Sequence, residues 1–282
     1  MKHIIKSQDF TKKEMYSLFK KADELRKKNK ESLKGKILAT LFYEPSTRTR
    51  LSFESAVQRL GGKLISVEDA KDASSAKKGE SIEDTIRTIG KYCDCIVMRH
   101  FEQGSAEKAS MVSEVPIINA GDGKGQHPTQ ALLDMYTIYK ELKRLENLNI
   151  AIVGDLANGR TVNSLCYILS NFKNNKITLI SPKNLELKKD VKDFLNKNKI
   201  KFSESNNLNK ILPSMDVIYM TRIQKEKISK KDYGKAKGKY IINMKNFNLI
   251  NKNSILMHPL VKQEEIDLPI EIEQKDKRVA YF

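Results

Sequence analysis

The sequence predicts an α/β protein of two domains, each a parallel β-sheet flanked by helices, joined by a bridging helix. Three observations predict it. The chain has 282 residues, close to twice the roughly 150 of a typical domain. Apolar runs of strand length alternate with helical stripes. The second half begins that alternation afresh, and no short internal repeat accounts for it.

The elements follow in order. Ile37-Leu-Ala-Thr-Leu-Phe42 is apolar almost throughout, as a buried strand should be. A helix from about Ser46 to Leu60 stops at Gly61-Gly62, a natural helix C-terminus. Its Phe53, Ala56, Val57 and Leu60 recur at spacings of three and four and predict a core-facing stripe. Lys63 to Val67 is strand-like, Glu80 to Tyr92 helical, and Cys95–Met98 and Val115–Asn119 are strands. A helix from about Thr129 to Leu142 is the expected bridge, which puts the domains at 1–135 and 136–282. The second half reads as a strand Leu148–Val153, a turn at Gly154-Asp155, and a helix Thr161–Phe172 with Val162, Leu165, Cys166 and Leu169 on one face. Ile177–Ile180, Val217–Met220 and Tyr240–Ile242 are further strands, with a helix Leu187–Asn196 after the first of them. Ile255-Leu256-Met257 leads into His258-Pro259.

Composition removes several classes of function. The 52 Lys+Arg against 35 Asp+Glu leave a net charge of +17, which invites a nucleic-acid reading. Only ten of the basic residues are arginine, however, and the lysines are scattered. A solvated surface accounts for them, so no nucleic-acid partner is expected. No run approaches the ~20 apolar residues of a membrane span, so no membrane partner is expected. The N-terminal Met1-Lys2-His3-Ile4-Ile5-Lys6 lacks the apolar stretch of a signal peptide, and three cysteines make no disulfide framework. The expectation is a soluble, cytoplasmic protein. Cys93 and Cys95 have no matching second pair for zinc. There is no Gly-x-Ser-x-Gly elbow, no Walker lysine loop, and no Gly-x-Gly-x-x-Gly at the Gly154 turn. No metal, cofactor or covalent nucleophile is therefore expected.

Ligands of open α/β sheets bind beyond the carboxyl ends of the strands. Five of the ten arginines, at 48, 50, 99, 160 and 222, fall at such ends. Glu44-Pro45-Ser46-Thr47-Arg48-Thr49-Arg50 joins a strand to a helix. Backbone N–H groups, hydroxyls and guanidinium there suit a phosphate, which is favoured over the alternative of Ser46 as an ordinary N-cap. Two cations in a first turn oppose the helix dipole unless an anion sits there. Gln126-His127-Pro128-Thr129-Gln130 follows a glycine-rich stretch. His127 could donate to a carbonyl or oxyanion, or simply pack at a helix start. Arg99 ends a strand; His100 follows it and would point away. Arg160 enters a helix after Gly154-Asp155, and Arg222 and Gln224 follow another strand, on one side if strand geometry persists. Two arginines at separate strand ends suit a substrate with two carboxylates.

Ser46-Thr47-Arg48-Thr49-Arg50, His127-Pro128-Thr129-Gln130, Gly154-Asp155…Gly159-Arg160-Thr161 and Met220-Thr221-Arg222-Ile223-Gln224 together resemble the catalytic chains of the aspartate carbamoyltransferase family. The first element is shared with ornithine carbamoyltransferases. The His-Pro-Thr-Gln and Thr-Arg-x-Gln forms favour aspartate. The resemblance implies transfer of the carbamoyl group of carbamoyl phosphate to the α-amine of L-aspartate, early in pyrimidine synthesis. The alternatives are a transcarbamoylase for ornithine or another amine, and a non-catalytic relative. It implies that Ser46, Thr47, Arg48 and Thr49 hold the phosphate, with Thr49, Arg99 and His127 polarising the carbonyl. Gln130 and Leu260 would hold the carbamoyl group, and Arg160, Arg222 and Gln224 the aspartate. Domains 1–135 and 136–282 would bind carbamoyl phosphate and aspartate respectively. Glu44 and Glu226 would form domain-closure salt bridges. Ser74 and Lys78 would be lent by a neighbouring subunit of a homotrimer with shared active sites, and a separate regulatory chain stays open. The family commonly reads His-Pro-Leu-Pro-Arg where this chain has His258-Pro259-Leu260-Val261-Lys262. Its C-terminal return helix is not expected, because the sequence stops at Ala280-Tyr281-Phe282.

Overall fold

Strand alternation organises the first half. A computed structural model describes residues 2–27, 31–70 and 75–281, and they divide into two compact units, Met1–Ala131 and Leu132–Phe282. In chain order the first unit contains α1 (Lys12–Lys27), β1 (Ile37–Phe42), α2 (Thr47–Arg59), β2 (Lys63–Glu68), α3 (Ile82–Ile89), β3 (Cys95–His100), α4 (Ser105–Val112) and β4 (Ile117–Asp122). The four strands form one sheet in the order β2-β1-β3-β4, and every pair is parallel. Successive side chains of a strand face opposite ways. Ala39, Leu41, Ile96 and Met98 therefore join Ile86 and Ala109 in one core, while Phe42, Val97 and Ala120 pack with Phe53 of α2 in another. Full burial of a side chain such as Phe42 contributes about 1.5–3 kcal/mol.

The division between units falls within α5 (Pro128–Leu142). The second unit continues with β5 (Asn149–Val153), α6 (Arg160–Leu169), β6 (Lys176–Ile180), α7 (Lys189–Lys197), β7 (Lys201–Ser205), β8 (Val217–Met220), β9 (Ile242–Asn243), β10 (Ile255–Met257) and β11 (Ile266–Asp267). Its main sheet runs β10-β8-β5-β6-β7, again all parallel. Ala151, Val153, Ile218, Met220 and Leu256 build its core with Ile242 and Phe247. Among the described residues no helix is long and apolar enough to cross a membrane.

The structure corrects four expectations. The segment Tyr240–Ile242 is not a strand of the main sheet; Ile242–Asn243 pairs with Ile266–Asp267 in a separate two-stranded sheet. Lys201–Ser205 is an edge strand that the sequence reading does not assign. Ala56 faces solvent and Leu60 is only half-buried, leaving Val57 as the buried member of the α2 stripe. The helix expected over Glu80–Tyr92 is only Ile82–Ile89. Ser81 caps its start by accepting from the Asp84 amide at 3.1 Å, and Gly90 ends it.

Candidate active site

In the first unit the parallel register brings the candidate side chains to the carboxyl ends of the two central strands. Phe42 lies opposite Arg99, and the Tyr43 amide continues that ladder to the Arg99 carbonyl at 2.9 Å. Arg99 then reaches the β1–α2 turn. Its Nε donates to Glu44 Oε2 at 3.1 Å, and its Nη1 to Ser46 Oγ at 3.2 Å. Ser46 makes no side-chain cap on α2, so its hydroxyl serves the arginine rather than the helix. The amides of Thr47, Arg48 and Thr49 have no partner among the described residues. Thr47 and Arg48 are exposed and Thr49 is half-buried. The start of α2 is thus an open, positively polarised end.

Arg50 departs from expectation. It does not face this opening as a ligand-binding cation, but pairs with Glu68 of β2 at 2.8 Å and lies 3.8 Å from Glu54. Glu54 Oε1 also accepts from the hydroxyls of Thr40 (3.0 Å) and Ser66 (2.7 Å). This network ties the first turns of α2 to β1 and β2.

His127 closes the same unit's site. Before it, Asp122 accepts from the Gly104 amide at 2.9 Å and the Gln126 amide at 2.7 Å. The Gln126 side chain in turn accepts from the Ser7 amide at 2.7 Å. His127 is 6% exposed, and the Gln130 amide lies 3.3 Å from its Nδ1 as donor. An accepting Nδ1 leaves the proton of a neutral ring on Nε2, the tautomer that can donate to a carbonyl oxygen. His100 turns away from Arg99, as strand alternation requires. Its Nδ1 accepts from the Glu102 amide at 3.0 Å and lies 2.8 Å from Ser105 Oγ. Burial holds its pKa below the ordinary value.

In the second unit, Val153 and Met220 lie opposite each other, so the loops after β5 and β8 emerge side by side. Gly154 makes this approach possible. Its φ is +117°, and a Cβ there would run into the Thr221 carbonyl and lie 2.6 Å from its Oγ1. Asp155, fully buried, joins the two loops. It accepts from the Asn158 amide at 3.0 Å and the Gln224 amide at 3.2 Å. Arg160 is the first residue of α6. Strand geometry ends at Met220, and the chain enters a 3₁₀ turn at Lys225–Lys227, so the alternation expected to align Arg222 with Gln224 does not operate. Arg222 instead makes a two-pronged pair with Glu226, through Nη1 at 3.0 Å and through Nη2 to Oε1. That hydrogen bond raises the arginine's pKa and lowers the carboxyl's. Glu44 and Glu226, read as closure residues, thus each hold an arginine of their own unit.

Leu260 lies in a loop shaped by His258. The Leu260 amide donates to His258 Nδ1 at 2.8 Å, Leu260 has φ +53°, and the Leu260–Val261 peptide is cis. His258 Nε2 is 2.9 Å from Glu265 Oε1, an ion-pair distance at an angle that gives the N–H no well-directed hydrogen bond. Lys78 is exposed in a 3₁₀ turn, Ser75–Lys78; Ser74 lies outside the described residues. The sequence reading missed Glu54 and Asp122, and gave Asp155 no role. Asp122 and Asp155 sat within the motifs, where an acid following a strand and preceding a glycine-containing loop was the available signal.

Two parallel-sheet units, each presenting arginines and neutral donors at its strand ends, define an α/β enzyme that handles small anions. The chain belongs to the aspartate/ornithine carbamoyltransferase family. Residues 2–140 match the family's carbamoyl-phosphate-binding domain and residues 146–281 its aspartate/ornithine-binding domain. It is 48% identical to the chloroplastic aspartate carbamoyltransferase of Arabidopsis thaliana, over 99% of this chain and 73% of that protein. The aspartate transcarbamoylase catalytic subunit of M. jannaschii superposes with a TM-score of 0.88 at 48% identity, covering 98% of this chain and 91% of that one. The Trypanosoma cruzi aspartate transcarbamoylase in complex with carbamoyl phosphate and aspartate gives 0.91 at 35% identity, over 100% and 91%.

Proposed function

We propose that this chain transfers the carbamoyl group of carbamoyl phosphate to the α-amine of L-aspartate, releasing phosphate and N-carbamoyl-L-aspartate. The observation that carries this reading is the division of cations between the units. One unit offers an uncapped helix start beside Arg48 and Arg99; the other offers Arg160 and Arg222. A phosphate dianion suits the first set, and a dicarboxylate suits the second.

In the reaction the amine nitrogen attacks the carbonyl carbon, a C–N bond forms, the C–O bond to phosphate breaks, and the proton lost by the amine passes to the departing phosphate, which leaves as the hydrogen phosphate dianion. Ser46, Thr47, Arg48 and Thr49 hold the phosphate through bond cleavage, which stabilises the leaving dianion. Thr49, Arg99 and the Nε2–H of His127 meet the carbonyl oxygen as it gains charge, the work of an oxyanion hole. Gln130 and the Leu260 carbonyl orient the carbamoyl amide. Arg160, Arg222 and Gln224 orient the aspartate. Catalysis rests on positioning and charge stabilisation, without a covalent intermediate. Carbamoyl phosphate must first displace Glu44 from part of Arg99, and aspartate Glu226 from Arg222; Glu44 and Glu226 are then free for closure contacts.

We further propose that Ser74 and Lys78 serve the site of a neighbouring copy in a homotrimer. The exposed position of Lys78 supports this. The test is a steady-state assay with aspartate and ornithine in parallel, with sedimentation of the purified chain alone and after mixing with cell extract to detect a regulatory partner. Aspartate-dependent phosphate release that is blocked by a phosphonate–dicarboxylate bisubstrate analogue is the expected result. Consumption of ornithine instead, or a correctly assembled trimer without turnover, overturns the reading.

A further inference from the structure

Tyr219 in β8 heads the large side chains that are wholly buried among the described residues. Its hydroxyl donates to Asp134 Oδ2 of α5 at 2.9 Å, and Thr161, the second residue of α6, hydrogen-bonds the same hydroxyl. Asp134 is itself 2% exposed. Burial, aided by the Asp134 carboxylate, pushes the Tyr219 hydroxyl well above its ordinary pKa, so it stays a neutral donor. A packed apolar side chain would fill this space at less desolvation cost. Phenylalanine differs from tyrosine here only by the hydroxyl that joins the three elements.

Their location gives the cluster its meaning. Thr161 directly follows Arg160 at the start of α6, and Tyr219 precedes Arg222 by three residues, with β8 ending at Met220. The two arginines hang on two elements that share this one buried hydrogen-bonded junction, and α5 supplies its third arm. We propose that the Tyr219–Asp134–Thr161 cluster is a positioning device that sets the separation of Arg160 from Arg222, and so makes the site selective for a dicarboxylate of aspartate's length. This rests on the reading of Arg160 and Arg222 as aspartate ligands. The cluster residues act through the arginines and need not touch substrate.

The experiment compares Tyr219→Phe, Thr161→Val, Asp134→Ala and Asp134→Asn with the parent enzyme. It measures KM for aspartate and for carbamoyl phosphate, and inhibition constants for succinate and glutarate, which differ by one methylene. Tyr219→Phe is expected to raise the aspartate KM about tenfold, the effect of one lost buried hydrogen bond to a charged group. It should leave the carbamoyl phosphate KM unchanged and narrow the preference for succinate over glutarate. Asp134→Asn keeps an oxygen acceptor and is expected to recover much of the affinity that Asp134→Ala loses. Should Tyr219→Phe fail to fold, Thr161→Val is read in the same way. Lower stability with an unchanged aspartate KM and an unchanged succinate preference overturns the proposal, since a merely structural cluster would do that. If the parent enzyme itself shows no aspartate-dependent turnover, the functional reading fails instead.

Discussion

Replacing Glu54 by alanine isolates what anchors the helix proposed to hold the phosphate. Glu54 Oε1 receives hydroxyl hydrogen bonds from Thr40 and Ser66, and its side chain is only 12% exposed. Hydrogen bonds to a charged group contribute about 1.5–3 kcal/mol each. The Thr40 and Ser66 hydroxyls lie 2.9 Å apart and can bond one another once Glu54 is gone, so part of that loss is recovered. The Arg50 contact, at 3.8 Å, adds little. The net cost of Glu54→Ala is about 3 kcal/mol, which lowers the melting temperature of a unit of this size by roughly 10 °C. Glu54→Gln keeps the accepting oxygen and should lose about 1 kcal/mol. The chain has no tryptophan, so urea melts followed by circular dichroism, with calorimetry, are suitable. Titration with inorganic phosphate should show weaker binding in Glu54→Ala, because the amides of Thr47 to Thr49 belong to the same helix. A midpoint matching the parent's, with unchanged phosphate binding, would refute the idea that this network sets the helix.

Three further outcomes are expected. Arg48→Ala should abolish retention of inorganic phosphate, whereas Arg222→Ala should raise the aspartate KM about a hundredfold and spare carbamoyl phosphate; equal damage to both ligands in calorimetric titrations would count against the division of labour. At Glu265, burial opposes the charge, but the His258 ring 2.9 Å away and the hydrogen bond from the Gln263 amide outweigh it and hold the carboxyl below its ordinary 4.5. A lowered folded value means its stabilisation is full above the unfolded value of 4.5 and is lost as pH falls through the folded one. The urea midpoint of Glu265→Gln should therefore fall less on acidification than the parent's; parallel acid limbs would contradict this. Gly154→Ala should cost at least about 3 kcal/mol, since it combines a positive φ with a collision against Thr221, and a midpoint near the parent's would show that the two loops can part cheaply.

Legibility in the sequence followed burial. β1, β3, β5 and β8 are central strands whose near-continuous apolar runs announce them. β7, Lys-Phe-Ser-Glu-Ser, lies at a sheet edge with little to bury, so its pattern resembles a loop. The motif residues were legible because strand-to-helix turns concentrate donors. Arg50 was misread because its partner Glu68 lies across β2, a pairing that only the parallel register Phe42–Glu68 reveals. Tyr219 was hidden for the opposite reason: in a buried strand its aromatic ring looks like core, and only Asp134 and Thr161 show that its hydroxyl has a task.

The uncapped start of α2 also bears on how this protein must be handled. A helix whose first amides lack a side-chain cap forgoes about 1 kcal/mol, and any anion that takes those amides returns it. Such an anion is a folding ligand: at a hundred times its dissociation constant it adds about 2.7 kcal/mol. With phosphate at that end, as proposed, orthophosphate is no inert buffer for this chain: melts in phosphate and in Tris should report different free energies, and the difference is expected to measure occupancy of the helix end without any assay of turnover.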